Sequence, residues 1–453
     1  MMSTRGMLCL SAMALLLAIT GLGQSWVVAL SILNLCLISA VMALGLNMQW
    51  GYAGLFNVGV MGFAALGGIA ATLVSVAPVD AAWDVAGADL AWTGITVAGV
   101  VLAVILVRRL MNPGRWRVAA TAAVLLAGWG ALNRYFDPAV EAIESVDPAR
   151  TGYLGGLDLP IVLGWPAGGL VAAAAAWLIA RVALGLRADY LAIATLGIAE
   201  MVIAVIKNED WLTRGVRSVT GLDRPVPYEV GLQRSPRFQE LAAFLGTDIQ
   251  TASTIAVKLC YAGLFTAVLA GLLVLAEKAL HSPWGRMMRA IRDNETSAAA
   301  MGKDIKARHL EIFVLGAAVI GVAGAMLTTL EGQFTPGSYQ PLRFTFLIWV
   351  MVIIGGSGNN WGAVLGGFLV WFVWIEAEPA GLWLATNLVA VTGEGSILAD
   401  YILDGAPYMR VLVMGLILLL VLRFAPGGVL PAQPRGPSRA RRSGSPFKVG
   451  RSW

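Results

Sequence analysis

The sequence predicts an all-α, polytopic transmembrane helical bundle of about 12 spans. Three observations carry that prediction. Hydrophobic residues make up 58% of the 453-residue chain and charged residues 13%, against roughly 25% charged in a soluble domain. Uncharged apolar runs recur along almost the whole length, and a helix needs about 20 such residues to cross the hydrocarbon core. The remaining charges gather between the runs, in stretches dominated by one sign.

The spans are expected over roughly 7–23, 26–46, 54–76, 90–107, 118–133, 160–180, 189–206, 257–280, 310–330, 343–356, 362–378 and 408–424. The first has a basic residue ahead of a short apolar run, like a signal peptide. No small-x-small cleavage site follows and a second apolar run begins at once, so it is read as a retained helix. In 54–76, Gly and Ala recur at close intervals, and Gly316, Gly321, Gly324, Gly362 and Gly366 repeat the theme. In a bilayer such residues let helix backbones approach.

Orientation follows from Lys and Arg in the connections. The loop 108–117 has four Arg and no acid, and 282–309 has six bases against three acids. Residues after Pro426 hold six bases and no acid. The stretches 77–89 and 376–407 hold three and five acids with no base. One alternation satisfies these: both termini and 282–309 cytoplasmic, the acidic loops outside. The loop 207–256, with six bases and six acids, is outside by parity. The basic, Pro- and Gly-rich tail 432–453 is expected to be disordered near the inner leaflet.

Cys9, Cys36 and Cys260 lie in apolar runs without paired spacing and read as small buried hydrophobes. The stretch IIGGSGNNWGAVLGG lacks both a preceding soluble strand and a Gly-Lys-Ser/Thr ending, so it is no phosphate loop. No cofactor, metal or nucleic-acid site is expected in this chain.

The least ordinary segment is Ser282–His309, with nine charged residues in 28 between two long uncharged runs. Ser282-Pro283 is a helix start. Met287, Met288 and Ile291 fall on one face, and Arg286, Arg289 and Arg292 lean to another. Asp293 and Asn294 can restart or cap a second short helix with Glu295 in its first turn, Ala298, Ala299, Ala300 and Met301 continue it, and Gly302 can end it. Such a pair fits three descriptions: a positive-inside loop, a helix lying on anionic headgroups, or an element that docks a soluble motor.

In order along the chain stand GLNMQWGYAGLFNVGVMGFAALGG (45–68), RADYLAIATLGIAE (187–200), SPWGRMMRAIRDNETSAAAMGKD (282–304), GAAVIGVAGAM (316–326), VMVIIGGSGNNWGAVLGG (350–367) and YMRVLVMGLILLLVLRFAPGGVLP (408–431). Together they resemble the permeases of branched-chain amino-acid ABC transporters, LivM type, over about 26–76 and 160–431. The resemblance implies a permease domain over 1–431 in a bacterial inner membrane. It also implies that 282–304 is the coupling-helix region docking an ATP-binding subunit, where ATP would be hydrolysed. The partners it implies are a second homologous permease, two ATP-binding subunits and a periplasmic substrate-binding protein, with the lipid bilayer around them. Residues 90–150 depart from the pattern and look like an inserted pair of helices.

Polar groups at membrane depth are candidates for a substrate route. Glu200 is the one carboxylate well inside an expected span, with Thr195 near it. Asn47, Gln49 and Asn57 flank a helix break, where freed backbone can line a cavity. The same groups serve equally as interhelical hydrogen-bond partners. Branched-chain amino acids head the substrates the resemblance implies, followed by urea, short amides and aromatic acids; a sugar-importer permease of the wider superfamily is a weaker reading. The rival from another class is an ion-coupled secondary transporter with Glu200 as coupling carboxylate, and a structural scaffold accounts least well for that carboxylate.

Overall fold

A computed structural model describes residues 4–147, 152–392, 404–405 and 408–432. The tail beyond residue 432 and the acidic stretch 393–403 lie outside the described residues. The long helices are α1 (Thr4–Gly23), α2 (Trp26–Leu46), α3 (Val60–Ser75), α4 (Asp80–Leu110), α5 (Arg115–Ser145), α6 (Ile161–Ala183) and α7 (Ala188–Asn208). After three short helices, α8 (Asp210–Thr213), α9 (Glu229–Arg234) and α10 (Pro236–Phe244), come α11 (Ile249–His281), α12 (Pro283–Asp293) and α13 (Glu295–Ala300). The chain continues through α14 (Ile305–Glu331), α15 (Pro341–Gly355), α16 (Asn360–Thr392) and α17 (Met409–Phe424). Among the described residues, eight helices are long and apolar enough to cross a membrane, and α3 and α15 are shorter apolar helices.

The core is built around α14, which packs on α2, α3 and α6. Small residues make those crossings possible. A Cβ on Gly45 would lie 2.8 Å from the Gly316 carbonyl, and one on Gly168 2.8 Å from that of Gly67. A Cβ on Gly321 would stand 2.5 Å from both Ala172 Cβ and the Gly168 carbonyl. The glycines therefore mark helix contacts rather than a ligand loop. Gly355, Gly362 and Gly366 make the same kind of contact between α15 and α16.

Several expectations need correction. The run 54–76 is not one helix: 54–59 is irregular and α3 starts only at Val60. Gly54 has φ +73, outside the helical region, and side chains from other helices satisfy the backbone that follows. Helix α16 runs through the expected acidic loop as far as Thr392, with Pro379 inside it. Glu378 pairs with Arg410, and Glu376 accepts from Gln24 Nε2 at 2.8 Å, so carboxylates on this extension have partners. The expected loop 77–89 is largely the first turns of α4. Within 207–256 lie three short helices and β1 (Val219–Thr220), which pairs antiparallel with β2 (Gln333–Phe334). Cys260 is exposed on α11, while Cys9 is half-buried and Cys36 buried.

Helices α4 and α5 form a hairpin that stands beside the bundle. Helix α4 buries only Ala82 and Ala86, and α5 only Gly128, Ala139 and Ile143. At its base Trp83 Nε1 donates to the Leu154 carbonyl (3.1 Å) and Phe136 meets Trp211 edge-on at 5.4 Å. Each helix has 31 residues and is about 46 Å long, enough to exceed a hydrocarbon core of about 30 Å. The tip carries Arg108, Arg109, Arg115 and Arg117, whereas acids Asp80, Asp84, Asp89, Glu141 and Glu144 sit towards the base.

Candidate functional site

The segment 282–302 folds as two capped helices. Ser282 Oγ accepts from Gly285 N (3.3 Å), Pro283 occupies the first turn, and Asn294 Oδ1 accepts from Ser297 N (2.9 Å). Gly302 has φ +75, the left-handed conformation that ends a helix and that side chains with a Cβ disfavour. Met288 and Ile291 are buried against the bundle and Met287 is half-buried. Gly285 seats α12 on the last turn of α11, because a Cβ there would meet the carbonyls of Ala279 and Leu280.

The polar side of this unit holds it to its neighbours. Trp284 Nε1 donates to Glu311 Oε2 (2.9 Å), which also accepts from Arg308 (2.8 Å). Arg289 Nη2 donates to the Leu280 carbonyl at 3.3 Å, and Arg286 Nη1 to that of His281 at 3.2 Å. Of α13 only Ala298 is buried. Glu295, Thr296, Ala299, Ala300 and Gly302 are exposed, and Met301 is 80% exposed. A rigidly anchored helix thus presents small side chains and one large apolar one outward.

Beneath α12 lies a cluster of buried amides. Helix α2 ends in a π-helical segment, Asn47–Tyr52, one of whose walls is α16. Asn47 Nδ2 donates to Asn360 Oδ1 (3.3 Å), while its Oδ1 accepts from Gly358 N (2.8 Å). The Tyr52 hydroxyl donates to the same Asn360 oxygen, and Asn360 Nδ2 donates to Glu277 Oε1 at 3.0 Å. Gln49 Nε2 donates to the Phe313 carbonyl (2.8 Å) and its Oε1 accepts from Asn57 Nδ2 (2.8 Å). Asn57 Oδ1 accepts from Gly59 N at 2.8 Å. Asn47, Gln49 and Asn57 are fully buried. Sequence reasoning named these three amides and Arg292 but missed Tyr52, Glu277, Asn360 and Gly51. The signals were there: Glu277 is the one acid near the end of a long uncharged run, and Asn360 follows the glycine-rich turn GGSGN.

The other candidates stand on α7. Thr195 is buried, donates to the Ala192 carbonyl (3.0 Å) and accepts from Val58 N (3.0 Å). It is the one hydroxyl lining a narrow apolar cleft between α3, α6 and α7, which Gly59, Gly62, Phe63, Ala199 and Val202 also line. Glu200 is exposed on the opposite face, beside Gly197 and Met201, and makes no hydrogen bond or ion pair among the described residues. Thr195 and Glu200 therefore do not converge on one side of α7, and neither joins the amide cluster directly.

The family model described as branched-chain amino acid transport system / permease component matches residues 28–422. Over 208 residues the chain is 28% identical to the high-affinity branched-chain amino acid transport system permease protein LivM of Escherichia coli K12, covering 45% of this chain and 48% of that protein. It is 27% identical over 158 residues to a probable branched-chain amino acid transport permease protein LivM of Methanocaldococcus jannaschii, 35% of this chain and 42% of the relative. The chain spans about half the length of the curated relatives it matches. No solved structure matches it.

Proposed function

The chain belongs to the family of branched-chain amino acid transport system permease components, and from that premise we propose that it is a transmembrane subunit of an ATP-driven importer of branched-chain amino acids. It catalyses no reaction itself. Two ATP-binding subunits hydrolyse ATP, a second, homologous permease completes the pathway, and a periplasmic binding protein delivers substrate. Both termini lie in the cytoplasm, as do α12 and α13.

The observation that carries this reading is the α12–α13 pair. Its inner face is locked to the bundle through Met288, Ile291 and Ala298, while Ala299, Ala300 and Met301 face outward. A positive-inside loop needs neither two caps nor an apolar outer face. A docking element needs both, because a force applied to it must reach the bundle without being absorbed by fraying.

The route for substrate lies along the exposed face of α7. A carboxylate at membrane depth costs several kcal/mol when it faces lipid, and Glu200 has no hydrogen-bond or ion-pair partner among the described residues. The second permease covers that face, and small residues such as Gly197 let it approach closely. Asn47, Gln49, Asn57 and Thr195 hold the helices that shape the route. The test is to co-express the chain with the ATPase, permease and binding-protein subunits of a branched-chain amino acid importer from the same organism, then purify through this chain. Recovery of all of them as one complex whose ATP hydrolysis rises with loaded binding protein supports the reading; recovery of this chain alone contradicts it.

A further inference from the structure

Arg292, the last arginine of α12, is an exposed residue whose Nε and Nη2 both donate to Asp293 Oδ1 at 3.3 Å, while its remaining nitrogen turns inward. Its Nη1 donates to the carbonyl of Gly51 in the π-helical segment. Its stem lies 3.4 Å from where a Cβ of Gly54 would be, and Nη1 lies 2.8 Å from that position on Gly358. The three glycines form the slot that admits the guanidinium. Any Cβ at Gly51 would also strike Gly358 N, at 2.5 Å. Helix ends leave carbonyls without partners, and here an arginine from a separate element takes one of them.

The segment that Arg292 holds is tied to every long helix around it. Asn47 and Tyr52 bind Asn360 at the start of α16, Asn360 binds Glu277 on α11, and Gln49 binds the Phe313 carbonyl on α14. On its other side the chain runs Gly54–Gly59 into α3. There Trp349 Nε1 of α15 donates to the Asn57 carbonyl (2.9 Å), and Val58 N donates to Thr195 on α7. Glu200 lies little more than one turn along from Thr195. A single covalent stretch, Gly51 to Val58, therefore connects the arginine of α12 to the helix that carries the membrane-depth carboxylate.

We propose that Asn47–Val58 is the transmission element of this permease and that Arg292 is the positioning residue through which α12 moves it. The inference rests on the docking role given to α12–α13 under Proposed function. π-Helical turns are rare insertions that occur frequently at functional sites. Besides its own backbone turn, this one is held by side-chain bonds to three helices, α12, α14 and α16. Displacement of α12 pulls on the Gly51 carbonyl, and the buried amide bonds distribute that pull to α2, α11, α14 and α16. The irregular stretch after Tyr52 passes it to α7. Buried packing turns small displacements into switches between discrete arrangements because cores deform little.

The experiment uses the full complex in proteoliposomes, comparing wild type with Arg292→Ala, Arg292→Lys, Tyr52→Phe and Arg115→Ala. ATPase capture, ATP hydrolysis and uptake of tritiated leucine are measured on the same preparations. Expected for Arg292→Ala are normal membrane levels, ATPase capture within about twofold of wild type, sustained hydrolysis, and uptake per ATP lowered about tenfold, the scale of one charged hydrogen bond. Arg292→Lys restores part of the coupling because it keeps a charged donor. Tyr52→Phe, which keeps the ring and loses the bond to Asn360, uncouples more weakly in the same sense. Arg115→Ala, at the exposed tip of the α4–α5 hairpin, couples normally. Unchanged uptake per ATP in both Arg292→Ala and Tyr52→Phe would overturn the proposal. So would loss of ATPase capture by Arg292→Ala, which would make Arg292 a docking residue. Failure of the docking reading shows separately, as normal capture by Ala299→Arg.

Discussion

Replacing Ala299 by Arg separates a docked helix from a free one, because the two environments respond oppositely. In the permease alone Ala299 is exposed, on the side of α13 away from buried Ala298. Exposed substitutions usually change stability by under about 0.5 kcal/mol, and Arg is a good helix former. Membrane level, melting temperature and monodispersity of the isolated chain should therefore match wild type. Under a docked ATPase the same position is closed off, and an unpaired charge stripped of water costs about 3 kcal/mol or more. Snorkelling of the long side chain relieves part of that cost, so about 2 kcal/mol is the lower bound, or roughly 30-fold weaker capture. The assay is a titration of purified ATPase onto immobilised permease, with bound ATPase read by quantitative blotting. Capture by Ala299→Arg within about twofold of wild type, at normal permease stability, would refute the assignment of α13 as a docking helix. The inward neighbour is unsuitable for this test, since Ala298→Arg would unseat α13 from its own bundle.

Gly302→Val places a β-branched residue at φ +75 and should fray the end of α13, lowering ATPase capture several-fold while α12 stays seated. Circular dichroism of the detergent-purified protein, unchanged in helix content, separates that local effect from general unfolding. Gly321→Ala should destabilise by about 1–3 kcal/mol through overpacking, because its methyl would meet Ala172 and the Gly168 carbonyl. Gly271→Ala, with nothing within 4 Å, should be neutral or stabilising by up to about 1 kcal/mol. Detergent melting curves that shift the same way for both glycines would contradict the packing account. Glu200→Gln should leave ATPase capture intact and reduce uptake, and failure to assemble with the second permease would reassign Glu200 to the subunit contact alone.

What was legible in the sequence was what local physics decides. Ser282-Pro283, Asn294 and Gly302 announce α12 and α13 because capping and left-handed glycines act within a few residues. The close-packed crossings of α14 were legible too, since small residues at helical spacing have few other uses in a bilayer. Helix ends were less so. Hydropathy finds only the stretch that lipid solvates, whereas α4, α5 and α16 continue past it as polar-flanked helix. The amide cluster was legible as three polar residues at a break, but not as a structure. Asn360 lies more than 300 residues from Asn47, and the Arg292–Gly51 bond spans 241. No periodicity encodes a bond between elements so far apart. For the same reason the π-helical segment read only as a break between the spans 26–46 and 54–76: the bonds that hold it come from Asn360, Phe313 and Arg292.

The most direct measurement is uptake of tritiated leucine into proteoliposomes holding this chain, with and without its partner permease, ATPases and binding protein. The account predicts uptake only with all components and internal ATP, abolished by a hydrolysis-dead ATPase and indifferent to a proton ionophore. Uptake by this chain alone that collapses when the proton gradient is discharged would contradict it, and would make Glu200 the coupling carboxylate of a secondary transporter.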